Sequence, residues 1–332
     1  MDMKKLLCIV LAMLCMCSAA FAAETRMFFA MDTYMSISAP DAPEALVDEC
    51  VAAINGLEAD ISVTDPGSGI YALNSGGSAA LDGHSLRLTE FALEMCALTG
   101  GALDITMYPV VRAWGFTTGE YTVPETEEIA ALLSCTGYSY VTVKNGCITL
   151  PEGFMLDLGS VAKGYASDMA ADMLRAGGVK SALIDLGGNI YCVGAKQDGS
   201  LWRVALRDPA GEGYLGVVAV SDCAVVSSGC YERYFEKDGV RYGHIFDPAT
   251  GRPADNGLIS VTVIGKSGAE CDALSTALYV MGPEKAAGFL AGQDAVDAVL
   301  VREDGTLIIT EGLADVFTPM GAYAQSDIEW VK

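Results

Sequence analysis

Apolar positions along the chain recur with two periods, and the switches between them divide it into elements. Residues 43–58 (PEALVDECVAAINGLE) and 86–99 carry apolar side chains at helical spacing. A third helical face runs Val161, Ala162, Tyr165, Ala166, Met169, Ala170, Met173, Leu174 until Gly177-Gly178 stops it. Val179 to Leu186 and Leu258 to Ile264 read instead as buried strands, the second rich in β-branched residues. RYFEKDGVRYGHIFD predicts a hairpin turned at Asp238-Gly239. Ile148 to Leu158, broken by Pro151-Glu152-Gly153, predicts a strand pair joined by a short turn. Strands and helices mix without strict strand–helix–strand alternation. The expected fold class is therefore α+β, with mixed or antiparallel sheets and packed helices in a single catalytic domain.

Composition narrows the functional classes. The chain has 332 residues, 52% of them hydrophobic, enough for a large core. Its 43 acidic against 20 basic residues give a net charge of -23, which argues against a nucleic-acid or anionic-membrane surface. A phosphate-bearing ligand would then be held by a metal ion, backbone N–H groups and a few basic side chains. Lys4 and Lys5, the apolar run from Leu6 to Cys17 and Ala20-Phe21-Ala22 read as a secretory signal peptide over residues 1–22. Residues 23–332 are then an exported, periplasmic or extracytoplasmic domain. Met16 before Cys17 and Leu14 before Cys15 fit a lipid-attachment signal poorly, so a membrane-attached form is the secondary expectation. The eight cysteines beyond the leader are an even number, which permits disulfides in an exported chain, but they show no C-x-x-C clustering and read first as buried free thiols, with a zinc site disfavoured.

Five stretches carry candidate chemistry. In LDLGSVAKGYASD, Asp157 enters a Gly/Ser loop and Lys163 lies in the first turn of the helix that follows. The N–H groups and dipole of a helix N-terminus favour an anion there, although a plain cap with a solvated lysine has the same appearance. DLGGNI (Asp185–Ile190) puts a Gly pair after a strand but lacks the third Gly and helix of a dinucleotide loop. In SGAECDALSTALYVMG, Asp272 and Thr276 are four apart and share one helix face. A carboxylate, a hydroxyl and a backbone carbonyl are hard oxygen ligands suited to Mg²⁺; the alternative is an Asp that merely faces solvent. HIFDPATGRP contains His244, a candidate general base or phosphate-orienting group that would titrate near neutral pH, with a structural histidine as the alternative. The other histidine, His84, lies in a polar turn and receives no role. GALDITMYPVVRAWGF has the aromatics and small-residue entry of a site for a flat heterocycle, and equally of ordinary core.

Taken in order, MDTYMSI (Met31–Ile37), SVTDPGSGIYALN (Ser62–Asn74), GALDITMYPVVRAWGF, LDLGSVAKGYASD, DLGGNI, SSGCYERYF (Ser227–Phe235), HIFDPATGRPADNGLISVTVIG and ECDALSTALYVMG form a succession that resembles the FAD:protein FMN transferase family. An older family name is thiamine-biosynthesis lipoprotein, and the resemblance spans nearly the whole mature chain. It implies an enzyme that binds FAD as substrate with Mg²⁺ and splits its pyrophosphate. FMN would pass to the hydroxyl of a Thr (or Ser) in a short motif of an acceptor protein, with release of AMP. A subunit of a membrane redox pump or an extracellular reductase is the implied acceptor. Carried over residue by residue, the resemblance implies metal ligation by Asp272, Thr276 and the Ser160 carbonyl. It implies FAD contacts from Met31, Ala102, Leu103, Asp104, Asp157, Lys163, Phe246 and Ser275, and catalysis by Asp272, with His244 as candidate base. An Mg²⁺-dependent FAD pyrophosphatase and a non-catalytic exported flavin-binding protein are the competing readings. Two positions depart from the family pattern: Thr64 stands where many relatives have an aromatic residue, and Asp32 where many have Gly.

Overall fold

Nine strands lie side by side in one sheet, in the order in which the chain makes them. They are β1 (Thr25–Ala30), β2 (Thr33–Ser38), β3 (Ala182–Leu186), β4 (Asn189–Val193), β5 (Cys223–Gly229), β6 (Leu258–Gly265), β7 (Val296–Arg302), β8 (Leu307–Thr310) and β9 (Ile328–Val331). Every neighbouring pair is antiparallel except β8 with β9, which are parallel. The structure is a computed structural model that describes residues 25–332, so the leader read at residues 1–22 falls outside the described residues.

Two tight turns align at one end of this sheet. The β1–β2 tip is Met31-Asp32, with φ of 48° and 59°, and the β3–β4 tip is Gly187-Gly188, with φ of 69° and 98°. Two-residue hairpins demand such left-handed values because the turn must follow the twist of the strands. Asp is among the few residues besides Gly that adopt them readily, so the turn accepts Asp32 where the family pattern expected from the sequence has Gly. DLGGNI is thus a hairpin, in keeping with its poor match to a dinucleotide loop. Thr33 packs against Gly187, where an added Cβ would lie 2.6 Å from Thr33 Oγ1.

Five helices, α1 (Glu44–Ile61), α2 (Gly83–Leu98), α3 (Gly159–Ala176), α4 (Gly268–Met281) and α5 (Pro283–Leu290), contribute to the large core on one sheet face. A three-stranded sheet (Trp202–Arg207, Tyr214–Val220, Phe317–Pro319) packs on the other. Ala224 and Val226 therefore face the helices while Val225 between them faces the small sheet. Burial on both faces accounts for the near-continuous burial along strands such as β6, Ser260 and Thr262 included. A satellite cluster of Trp114, Phe116, Phe235 and Phe246 lies beside the hairpin Tyr234–Lys237/Val240–Gly243, which turns at Asp238-Gly239 as the sequence predicts. The α+β class holds. All eight cysteines among the described residues are free thiols, five of them buried.

The strand pair expected over Ile148–Leu158 does not form. Cys147–Thr149 pairs instead with Ser78–Ala80 and Thr142–Lys144. Beyond the turn, the Leu156 backbone is satisfied by a side chain: Asn74 Oδ1 accepts from its N–H at 2.7 Å and Asn74 Nδ2 donates to its carbonyl at 2.9 Å. An amide side chain can replace a ladder partner, and an apolar period does not distinguish the two.

Helices α3 and α4 cross at Gly164 and Gly268. A Cβ on Gly164 would overlap the Gly268 carbonyl oxygen and lie 2.6 Å from Asp272 Cβ. Gly164→Ala should therefore lower stability by about 1–3 kcal/mol or more through overpacking. Gly56→Ala, on an exposed part of α1 with nothing within 4 Å of the new Cβ, should raise it by about 0.5–1 kcal/mol. Urea midpoints of the two variants check the pair; equal effects would mean that the crossing is looser than described.

Candidate functional site

The close crossing brings backbone to side chain. Gly164 N–H, which a regular helix directs at the Ser160 carbonyl, donates to Asp272 Oδ2 at 2.8 Å. The Ser160 carbonyl lies one turn before Gly164, in the first turn of α3, and a carbonyl oxygen has a second lone pair for a further partner. One turn beyond Gly164, Asp168 caps α4: its carboxylate accepts from Gly268 N at 2.6 Å, Ala269 N at 3.0 Å and Ser267 Oγ at 3.0 Å. Ser267 Oγ accepts in turn from Glu270 N. The start of α4 is thus fixed by a charge from α3, and Asp272 follows one turn later with Thr276 a further turn on.

Asp272 is 4% exposed. Burial raises its pKa, opposed by the Lys163 charge, the Gly164 N–H and the adjacent Asn189 amide. Asn189, the first residue of β4, is itself 3% exposed, and its Nδ2 makes no hydrogen bond of ordinary geometry. The site thus combines a buried carboxylate whose burial is only partly compensated, a hydroxyl one turn along the same helix and a buried amide N–H₂ beside them. A hard divalent ion fits that donor set, with Asp272, Thr276 and the Ser160 carbonyl able to hold it. Among the described residues there is no group of three or more His, Cys, Asp or Glu that could hold a metal ion.

His244 follows the hairpin, half-buried. Its Nδ1 lies 3.1 Å from the Arg233 carbonyl oxygen, which can only accept, so Nδ1 carries the proton and Nε2 the free lone pair. Burial lowers its pKa to about 4; the Arg233 carbonyl opposes this, and the Lys163 and Arg233 charges lower it further. The sequence reading of a histidine titrating near neutral pH is corrected accordingly. Glu232 is the group that titrates there: solvent-accessible but deep among its neighbours, it is pushed up to about 7 by desolvation, opposed by Lys163 and reinforced by Asp272. The Arg233 guanidinium donates to the Phe116 carbonyl and sits 5.9 Å from the Phe116 ring centre. Asp157 Oδ1 accepts from Gly159 N at 2.8 Å; burial raises its pKa, and the Gly159 N–H and Arg233 oppose that rise.

Of the residues singled out in the sequence, the structure draws Lys163, His244 and Asp272 into one electrostatic neighbourhood, with Ser160 one turn before Gly164 on α3 and Thr276 one turn beyond Asp272 on α4. Asp157 joins it through Arg233. Phe246 is buried against Trp114 and Phe116 in the aromatic cluster. Asp104 clamps its own loop, accepting from Thr106 N, Thr106 Oγ1 and Tyr138 N, beside half-buried Ala102 and buried Leu103. Met31 N–H donates to Glu58 Oε1 at 2.9 Å on the hairpin tip that abuts Gly187. Ser275 is fully buried, and its hydroxyl donates to the Asp272 carbonyl, a supporting rather than ligand-facing position. His84 bonds Tyr165 Oη at 2.9 Å and takes no part in this network. Sequence reasoning gave no role to Asp168, Asn189, Ser228, Glu232 or Arg233. All five lie inside quoted motifs, yet no local spacing marks them, because each acts on a residue distant in the chain.

The histidine supplies a pH prediction. Unfolded, His244 titrates near 6.5; folded, near 4, so the unfolded chain binds the extra proton between those values. Its contribution to stability is complete above about pH 6.5 and is lost as pH falls towards 4. His244→Gln, which cannot be protonated, should lose less stability than the wild type between pH 7 and 4.5, read from urea midpoints. Parallel losses would show that His244 is not held neutral.

Comparison with known proteins follows the same lines. The ApbE family profile matches residues 31–300. The chain is 37% identical to the FAD:protein FMN transferase of Vibrio cholerae over 233 residues, 68% of this chain and 70% of that protein. It is 34% identical to that of Treponema pallidum over 292 residues, 82% and 81% of the two chains. The fold superimposes on the ApbE protein of Thermotoga maritima with a TM-score of 0.82 at 31% identity, covering 88% of this chain and 98% of that one. A histidine-to-glycine variant of the Vibrio cholerae flavin transferase ApbE gives 0.79 at 30% identity, covering 88% and 99%. The chain is an enzyme of the ApbE family, the FAD:protein FMN transferases.

Proposed function

We propose that the enzyme transfers the FMN moiety of FAD, with Mg²⁺, to a Thr or Ser hydroxyl of an acceptor protein and releases AMP. The observation that carries this reading is the α3–α4 crossing, where the Gly164 N–H donates to the buried Asp272 carboxylate, with Lys163 within electrostatic reach of both Asp272 and His244. In the reaction the acceptor oxygen bonds to the FMN-side phosphorus, the bond from that phosphorus to the bridging oxygen breaks, and that oxygen leaves on AMP. A bound Mg²⁺ supplies neutralisation of the phosphate charge. Lys163, within electrostatic reach of Asp272, Glu232 and His244, adds a second positive charge. His244 Nε2, unprotonated down to about pH 4, accepts the hydroxyl proton. The buried Asn189 N–H₂ is available to a phosphate oxygen.

The leader-like sequence at residues 1–22 supports action outside the cytoplasm, on a redox-pump subunit or extracellular reductase. Water in place of the acceptor hydroxyl would give FAD hydrolysis at the same residues. The decisive assay incubates the enzyme with FAD and Mg²⁺, with and without an acceptor bearing the Thr motif, and follows AMP and flavin fluorescence on a denaturing gel. Labelled acceptor that disappears with EDTA is expected; AMP without label would indicate hydrolysis, and intact FAD would remove catalysis altogether. Asp272→Asn should lower transfer by about a hundredfold or more. His244→Ala should lower it by about 10²–10⁴-fold; full activity would exclude His244 as the base.

A further inference from the structure

The hydroxyl groups behind the metal-binding face have a fixed polarity. Ser228, on β5, is 7% exposed; its Oγ lies 2.8 Å from Ser275 Oγ and 3.4 Å from Thr276 Oγ1. Ser275 Oγ also lies 2.9 Å from the Asp272 carbonyl oxygen, which accepts only. Each hydroxyl has one proton. The Ser275 proton goes to that carbonyl, so towards Ser228 it is an acceptor. Ser228 therefore donates to Ser275 and presents only lone pairs to Thr276. The Thr276 proton is then drawn towards Ser228, which leaves the Thr276 lone pairs directed away from Ser228.

We propose that Ser228 is a positioning residue: through this one-way chain it orients the Thr276 hydroxyl so that its lone pairs, not its proton, meet the divalent cation. The inference rests on the metal reading proposed above. The Thr276–Ser228 separation is longer than an ordinary hydroxyl hydrogen bond. A cation on Thr276 Oγ1 makes its O–H a stronger donor and so strengthens this link. Without Ser228 the Thr276 hydroxyl is free to turn its proton into the site. Without Ser275 the Ser228 proton is released to point at Thr276, and the polarity reverses.

Mn²⁺, as a stand-in for Mg²⁺, can be titrated against the full-length mature enzyme by the EPR signal of the free ion, with Mg²⁺ as competitor. Ser228→Ala should weaken Mn²⁺ binding by about tenfold, the lower end for loss of a group that orients a ligand. Ser275→Ala should do likewise, and the double variant should be no worse than either single, because both cut one chain. Transfer activity of Ser228→Ala should recover at raised Mg²⁺, with kcat close to wild type, an outcome that simple loss of folding would not give. Ser275→Ala also provides the reading if Ser228→Ala fails to fold. Wild-type affinity in both single variants, or additive losses in the double, would overturn the positioning role while leaving the metal site intact. Failure of the wild type itself to bind Mn²⁺ in competition with Mg²⁺ would overturn the metal reading and this inference with it.

Discussion

Contact between two helix backbones at Gly164 and Gly268 is the constraint on which the site depends. With no side chain at either position, α3 and α4 approach closely enough for a peptide N–H of one helix to bind a carboxylate of the other. The same approach lets Asp168 reach the first N–H groups of α4. Capping and ligand placement are thus one packing event. The charge that Asp168 brings to the helix N-terminus fixes the rotation of α4 about its axis, and that rotation sets where Asp272 and Thr276 face.

The electrostatics follow from the same burial. An acidic protein of a family named for FAD cannot rely on a broad basic surface, and here Lys163 and Arg233 act on the buried Asp272 and the half-buried Asp157. Desolvation acts on opposite charges in opposite directions. It makes the carboxylates reluctant anions, ready for a cation, and makes His244 a reluctant cation, ready to accept a proton only as chemistry demands. Desolvation also pushes Glu232 up, to about 7, against the opposing charge of Lys163.

Much of this was legible along the chain, and the limit is physical. Helix α3, strand β6 and the Asp238-Gly239 hairpin were readable because their determinants are local: a period, a β-branched run, a left-handed turn. The pairing of Asp272 with Thr276 was readable because four residues make one helical turn. What could not be read joins residues far apart in sequence. Gly164 and Asp272 are separated by 108 positions, and Asp168 and Gly268 by 100. Asn74, which replaces a strand partner for Leu156, is 82 positions away. The seating of Ser275 against Ser228 likewise needs β5 in place. The neutral-pH reading of His244 erred because burial, which no spacing encodes, outweighs the ordinary titration of an imidazole.

The most direct measurement is anomalous X-ray scattering from crystals of the enzyme grown with Mn²⁺ and a nucleotide. A single strong peak bounded by an Asp272 oxygen, Thr276 Oγ1 and the Ser160 carbonyl is expected at the helix crossing. A peak ligated by other residues, or no peak at concentrations that support transfer, would contradict a metal site built by the contact of Gly164 with Gly268.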